Sequence, residues 1–230
     1  MNNASKDLSS KLLGVVLNGG KSTRMRHNKA SLRLENGDSF LEHAIQRMQL
    51  LCSNVVISTG SKISAGQARR NITSLPDTDE FQQSGPLAGI ATCVKYAITN
   101  NFRACLFTPI DLPNLSAQDL QQVRKRWSQS PLRPVCVENQ SSGLIEPLVS
   151  IIPIGMCPSI IDALTKRELS VHRWLSKNQP LIVQLHGSSL ENINTPEDLD
   201  SVLSRKRVSL LNVHNSPEVK AIRREQVKKN

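Results

Sequence analysis

Leu12-Leu13-Gly14-Val15-Val16-Leu17-Asn18-Gly19-Gly20-Lys21-Ser22-Thr23-Arg24-Met25-Arg26-His27-Asn28-Lys29 passes without a break from an apolar run into a turn of glycines, hydroxyls and bases. A short apolar run bounded by turn residues reads as a strand buried on both faces, as in parallel sheets. The turn that follows is chemically specific. Paired glycines let the backbone approach a ligand and turn N–H groups inward, where they can hold phosphate oxygens. Ser22 and Thr23 contribute hydroxyls, and Arg24 and Lys29 contribute fixed positive charge, so the segment suits a triphosphate. It is not a Walker A loop: Gly20-Lys21-Ser22 supplies the end, but the first glycine would have to stand at Val15, and Gly14 is one residue early. The dinucleotide pattern G-x-G-x-x-G is missing as well, which argues against a nicotinamide enzyme.

Outward from this strand, β-rich runs alternate with segments of helical period. Residues 11–17, 54–58, 71–75, 103–108, 134–138, 145–152 and 181–185 read as strands. Helices are expected over 40–51, 86–98, 117–128 and 196–203. Ser39-x-x-Glu42 and Ser116-x-x-Asp119 are capping boxes, Pro86 suits a first helical position, and Thr195 and Asp198 open the last helix. This order predicts an α/β fold, an open, mainly parallel sheet with helices on both faces, the Rossmann-like arrangement. In such sheets ligands bind beyond the carboxyl ends of the strands, so the unusual residues belong in strand-to-helix loops.

Composition narrows the function. Aromatic residues make up 3% of the 230 residues, too few for a base-stacking nucleic-acid platform. The cysteines (Cys52, Cys93, Cys105, Cys136 and Cys157) are odd in number, scattered and without a CxxC pair, which predicts reduced thiols in a cytoplasmic protein and no zinc site. Neither a signal peptide nor a membrane span is expected. The net charge is +10, but eight bases face two acids after Leu203, so much of it sits in a tail. One domain over 1–204 and a basic tail over 205–230 is the expected organisation; the tail reads as a solvated charged segment.

The opening turn resembles the L-x-G-G-x-S-x-R-M-x-x-x-K signature of the molybdenum cofactor guanylyltransferase family, within the nucleotide-sugar-type nucleotidyltransferases. Leu17, Gly19, Gly20, Ser22, Arg24, Met25 and Lys29 match it. Asp77, followed by Gly85-Pro86-Leu87-Ala88-Gly89-Ile90, is similar to a second signature, and Asp111-Leu112-Pro113 to a strand-terminal D-x-P. Glu146-Pro147-Leu148 resembles an H-P-L strand, and Asn192-Ile193-Asn194-Thr195-Pro196-Glu197-Asp198-Leu199 an N-x-N-T-P-E-D-L stretch. Ser170–Leu175 falls where the family has a helix near the acceptor pocket. The chain departs from the pattern at Asn18 (Ala in the family), Arg26 (Gly), Asn28 (Asp) and Glu146 (His).

The resemblance implies a Mg²⁺-dependent enzyme that moves GMP from GTP to molybdopterin and releases pyrophosphate. It implies a nucleotide site of Leu17, Asn18, Gly19, Gly20, Ser22, Lys29, Ser58, Asp77, Gly85 and Asp111. Lys29 and Arg24 would stabilise the α- and β-phosphates, Asp111 would hold Mg²⁺, Asp77 would accept from guanine, and Asn192 and Asn194 would serve the acceptor. Asp79 and Glu80 compete with Asp77 for its role. Transient contact with cofactor-delivery proteins or molybdoenzymes is expected; a membrane or nucleic acid is not. A related cytidylyl- or sugar-nucleotide transferase, and a nucleotide-binding regulator with weak turnover, are the alternatives.

Overall fold

The computed structural model describes residues 11–19, 33–34, 36–60, 72–82, 84–193, 195 and 198. The chain divides after Asn192 into two compact units, and the sheet and helices below lie in the first. Its strands are β1 (Leu12–Leu17), β2 (Asn54–Gly60), β3 (Thr73–Pro76), β4 (Ala104–Pro109), β5 (Val135–Asn139), β6 (Ile145–Pro153) and β7 (Leu181–Leu185). They form one seven-stranded sheet in the order β3-β2-β1-β4-β6-β5-β7. Every residue of β1 and of β4 is buried, the condition that an uninterrupted apolar run serves.

All pairings are parallel except those of β6, which runs antiparallel to both β4 and β5. A hairpin makes the reversal. Gly143 takes φ 68°, and its N–H donates to the Asn139 carbonyl at 2.8 Å, while Asn139 Oδ1 accepts from Ser141 N–H at 2.9 Å. The expected mainly parallel sheet therefore stands, with one strand turned back between β4 and β5.

Five α-helices are described: α1 (Phe40–Gln49), α2 (Pro86–Thr99), α3 (Ala117–Ser128), α4 (Cys157–Thr165) and α5 (Val171–Lys177). Both expected capping boxes are formed, Ser39 with Glu42 and Ser116 with Asp119. Leu13, Val15 and Leu17 of β1 share one core with α2, α4 and α5, built around Ile90, Val94, Ile160, Trp174 and Leu175. On the opposite face Gly14 lies against Met48 and Cys52, and Arg124 of α3 donates to Leu51 O at 3.1 Å, so α1 and α3 cover that side. Helix α4 was not anticipated. Ile160, Ala163 and Leu164, its buried residues, give only one turn of apolar period.

The edges differ from expectation by a residue or two: β3 starts at Thr73 rather than 71, β2 runs on to Gly60, and α1 stops at Gln49. Of the last expected helix, Thr195 and Asp198 are described. Thr195 N–H donates to Asp198 Oδ2 at 2.9 Å, and Asp198 N–H to Thr195 Oγ1 at 3.1 Å, the reciprocal cap that the sequence implied. The boundary at 204/205 lies outside the described residues. No helix among the described residues is long and apolar enough to cross a membrane.

Candidate functional site

The carboxyl ends of β3, β2, β1 and β4 lie side by side, and the residues that follow them form the site. Leu17 pairs with Ser58 on one side and Pro109 on the other, and Asn18 N–H donates to Ser58 O at 2.8 Å. Leu17 buries its side chain in the core, so only its backbone serves the edge. Gly19 is exposed, yet a Cβ there would stand 2.9 Å from Gly60 N and 3.0 Å from Gly60 Cα. Part of the reason for glycine at 19 is thus the chain's own backbone. Gly20, Ser22, Arg24 and Lys29 lie outside the described residues, as does Asn194.

Beside this turn, Ser58 directs its hydroxyl beneath α2. A Cβ on Gly89 would be 2.6 Å from Ser58 Oγ, and the hydroxyl bonds the Cys93 thiol, whose pKa burial raises to about 12. Gly85 caps α2 with φ 70°, a conformation that favours glycine, and Pro86 follows in the first turn.

Asp77 stands just after β3, its N–H donating to Gly60 O at 2.9 Å. Its Oδ1 is buried without a hydrogen-bond partner, and burial pushes the carboxyl above the ordinary carboxylate range. Thr59 Oγ1, in the irregular pairing between β2 and β3, is likewise buried and unpartnered. The three acids differ in surroundings. Asp79 is exposed and accepts from Gln82 Nε2 at 2.7 Å, while the exposed Glu80 faces Lys95 Nζ at 3.9 Å. Of the three, only Asp77 has a buried oxygen without a hydrogen-bond partner.

Asp111 follows β4. The side-chain amide of Asn192 lies on its carboxylate: with the nitrogen turned inward it donates to Oδ1 at 3.2 Å and Oδ2 at 3.1 Å. Glu146, expected at the start of the H-P-L-like strand, is part of this cluster. Its carboxyl is raised first by burial and also by the charge of Asp111, against the pull of a hydrogen bond from Leu148 N–H at 3.2 Å. Among the described residues no three His, Cys, Asp or Glu side chains are grouped to hold a metal. All five thiols are free.

Sequence reasoning missed Arg47. It is buried in α1, donates to the carbonyls of Leu112 at 2.9 Å and Leu115 at 2.6 Å and to Thr108 Oγ1 at 3.0 Å, and burial lowers its pKa to about 10. The available signal was its place in the apolar stripe of Phe40, Ala44 and Met48, where a solvated arginine does not belong.

A mainly parallel sheet that brings Gly19, the half-buried Asp77 and the Asp111–Asn192 pair to the carboxyl ends of its strands is an α/β protein of the nucleotide-binding class. The MobA-like NTP transferase domain matches residues 14–181, and the chain belongs to that family of nucleotidyltransferases. The "Probable molybdenum cofactor guanylyltransferase" of Rhodopirellula baltica is 35% identical over 82% of this chain and 90% of that protein. The "Molybdenum cofactor guanylyltransferase" of Pseudomonas syringae is 29% identical over 79% and 88%. In fold, the chain is similar to molybdopterin-guanine dinucleotide biosynthesis protein A from Archaeoglobus fulgidus, with TM-score 0.66 at 19% identity over 83% of this chain and 96% of that one. It matches a 4-diphosphocytidyl-2C-methyl-D-erythritol synthase from Anaerococcus prevotii with the same TM-score, 0.66, at 10% identity over 90% and 100%.

Proposed function

We propose that this protein transfers GMP from GTP to the terminal phosphate of molybdopterin. An acceptor phosphate oxygen forms a bond to the α-phosphorus, the α–β bridging P–O bond breaks, and pyrophosphate leaves with the electron pair. Both nucleophile and leaving group are phosphate anions, so the reaction asks for charge neutralisation more than for proton transfer. Lys29 and Arg24 are assigned to the α- and β-phosphates, and the backbone at Leu17, Asn18 and Gly19 to the wall beside the nucleotide.

The observation that carries the donor assignment is the unpartnered, buried Oδ1 of Asp77. A carboxylate accepts from the N1–H and 2-amino groups of guanine; adenine and cytosine present no such pair of donors. Equal TM-scores to a guanine-dinucleotide protein and a cytidylyl-type synthase mean that the fold does not choose the base, so the choice falls to this edge. The relatives' names point the same way.

Mg²⁺ fits the donor set. Asp111 offers a hard carboxylate ligand, and the Asn192 amide that donates to both of its oxygens would hold it in place for an ion that keeps its waters and takes phosphate oxygens. When bound there, Mg²⁺ would supply charge neutralisation at the phosphates. Asn192 and Asn194 remain the residues proposed for the acceptor. A cytoplasmic setting accords with five free thiols, and hand-over to cofactor-delivery proteins or molybdoenzymes follows from the product. The test is direct: incubate the protein with molybdopterin and labelled GTP, ATP or CTP, with and without Mg²⁺, and separate the products. Dinucleotide and pyrophosphate formed from GTP alone, and only with Mg²⁺, is the expected result; preference for CTP or ATP refutes it.

A further inference from the structure

Helix α1 turns two side chains toward the loop that carries Asp111, and neither belongs to any motif. Arg47 is 5% exposed, and its guanidinium donates to Leu112 O, Leu115 O and Thr108 Oγ1 at 2.9, 2.6 and 3.0 Å. One turn earlier, His43 Nε2 lies 3.1 Å from Pro113 O. The partners bracket Asp111: Thr108 precedes it on β4, and Leu112, Pro113 and Leu115 follow it. We propose that Arg47, with His43 beside it, is the positioning residue for Asp111, holding the Thr108 side chain before it and the backbone carbonyls after it so that the carboxylate meets Asn192 and the metal in one geometry. The inference rests on the metal role assigned to Asp111 above.

Packing alone does not call for a guanidinium here. A buried charge is costly unless its partners hold it, and an apolar residue of similar volume often serves a core as well or better. Arg47 Nε has no partner, so the site is not built to satisfy the cation fully. What the group does that methionine cannot is bind two carbonyls and a hydroxyl at once, from chain segments that the sheet pairing alone does not join. The planar fork of arginine does this; the single ammonium of lysine reaches fewer partners. Position matters in a metal site, because Mg²⁺ tolerates little deviation from its preferred geometry.

The test uses the full chain. Mn²⁺ binding in the presence of GTP is followed by electron paramagnetic resonance for wild type, Arg47→Met, Arg47→Lys, Thr108→Val and Ser159→Ala. The last removes the half-buried Trp174–Ser159 hydrogen bond between α5 and α4 and reports the effect of lost stability alone. Arg47→Met is expected to raise the Mn²⁺ concentration for half-saturation at least tenfold, Arg47→Lys and Thr108→Val by smaller factors, and Ser159→Ala by less than twofold. Affinity for GTP in chelator should stay within twofold throughout. A folded Arg47→Met with wild-type Mn²⁺ affinity overturns the proposal and leaves Arg47 a structural staple. If Arg47→Met does not fold, unchanged affinity in Thr108→Val and Arg47→Lys together has the same force. A wild type that binds no Mn²⁺ with GTP instead defeats the metal assignment, and this inference with it.

Discussion

Asp77→Asn is expected to make the protein more stable and worse at its work. Asp77 Oδ1 is buried with no partner, and burial raises its carboxyl above the ordinary value. A group whose folded pKa lies above its unfolded value adds stability below the unfolded pKa and loses it as pH rises through the folded one. At neutral pH the ionised Asp77 therefore costs the free protein stability, and a neutral amide of the same shape removes that cost. An unsatisfied buried polar group costs about 1–3 kcal/mol; because Asp77 is only half-buried, solvent screening brings the expected gain to about 0.5–1 kcal/mol. For a chain of this size that is a rise of roughly 1–4 °C in thermal midpoint. Scanning calorimetry between pH 4 and 8 should show the gain at pH 7–8 and its decline as pH falls toward the ordinary carboxylate range, where the wild-type carboxyl takes up its proton. GTP should respond in the opposite sense. Hydrogen bonds to a charged group contribute about 1.5–3 kcal/mol, so losing the carboxylate should weaken GTP by roughly tenfold to a hundredfold while ATP is unaffected. A lower midpoint at pH 7.5, or wild-type GTP affinity, would refute the assignment of that oxygen to the base.

Gly19→Ala sets a methyl 2.9 Å from Gly60 N and 3.0 Å from Gly60 Cα, and both obstacles are backbone. The ends of β1 and β2 must part, which should cost about 1–3 kcal/mol in urea unfolding and weaken GTP; an unchanged midpoint would show that the turn yields freely. Lys29→Ala should lower product formation by two orders of magnitude or more, since one preorganised charge contact contributes about 3–4 kcal/mol to the transition state. Wild-type turnover there removes Lys29 from the mechanism. A chain stopped after Arg207 should keep its thermal midpoint and its GTP affinity at physiological salt, where screening limits what a distant basic tail adds; loss of either would make the tail part of the folded domain.

What was legible in the sequence was local. The unbroken apolar run of β1 fixed a strand buried on both faces, and Ser39/Glu42, Ser116/Asp119 and Pro86 fixed three helix starts, because each signal depends on residues a few positions apart. The reversal of β6 was carried by Ser141-Ser142-Gly143, a turn signal that marks a bend without saying which neighbour the next strand will pair with. The site divided in the same way. The motif residues around Asp77 and Asp111 could be found in order along the chain, but the burial that distinguishes Asp77 from Asp79 and Glu80 depends on α2 and β2 closing over it.

Arg47 and Glu146 show the remaining limit. Arg47 acts 61 to 68 residues away along the chain, and Glu146 enters the site only because β6 runs back beside β4. Where the resemblance has histidine, Glu146 brings a carboxyl close enough to feel the charge of Asp111. Two carboxylates so placed repel each other, and each is relieved by a cation between them or by a proton on one of them. A neutral histidine at 146 would carry no such repulsion, so the departure at this position adds negative charge beside Asp111, which a bound cation would offset.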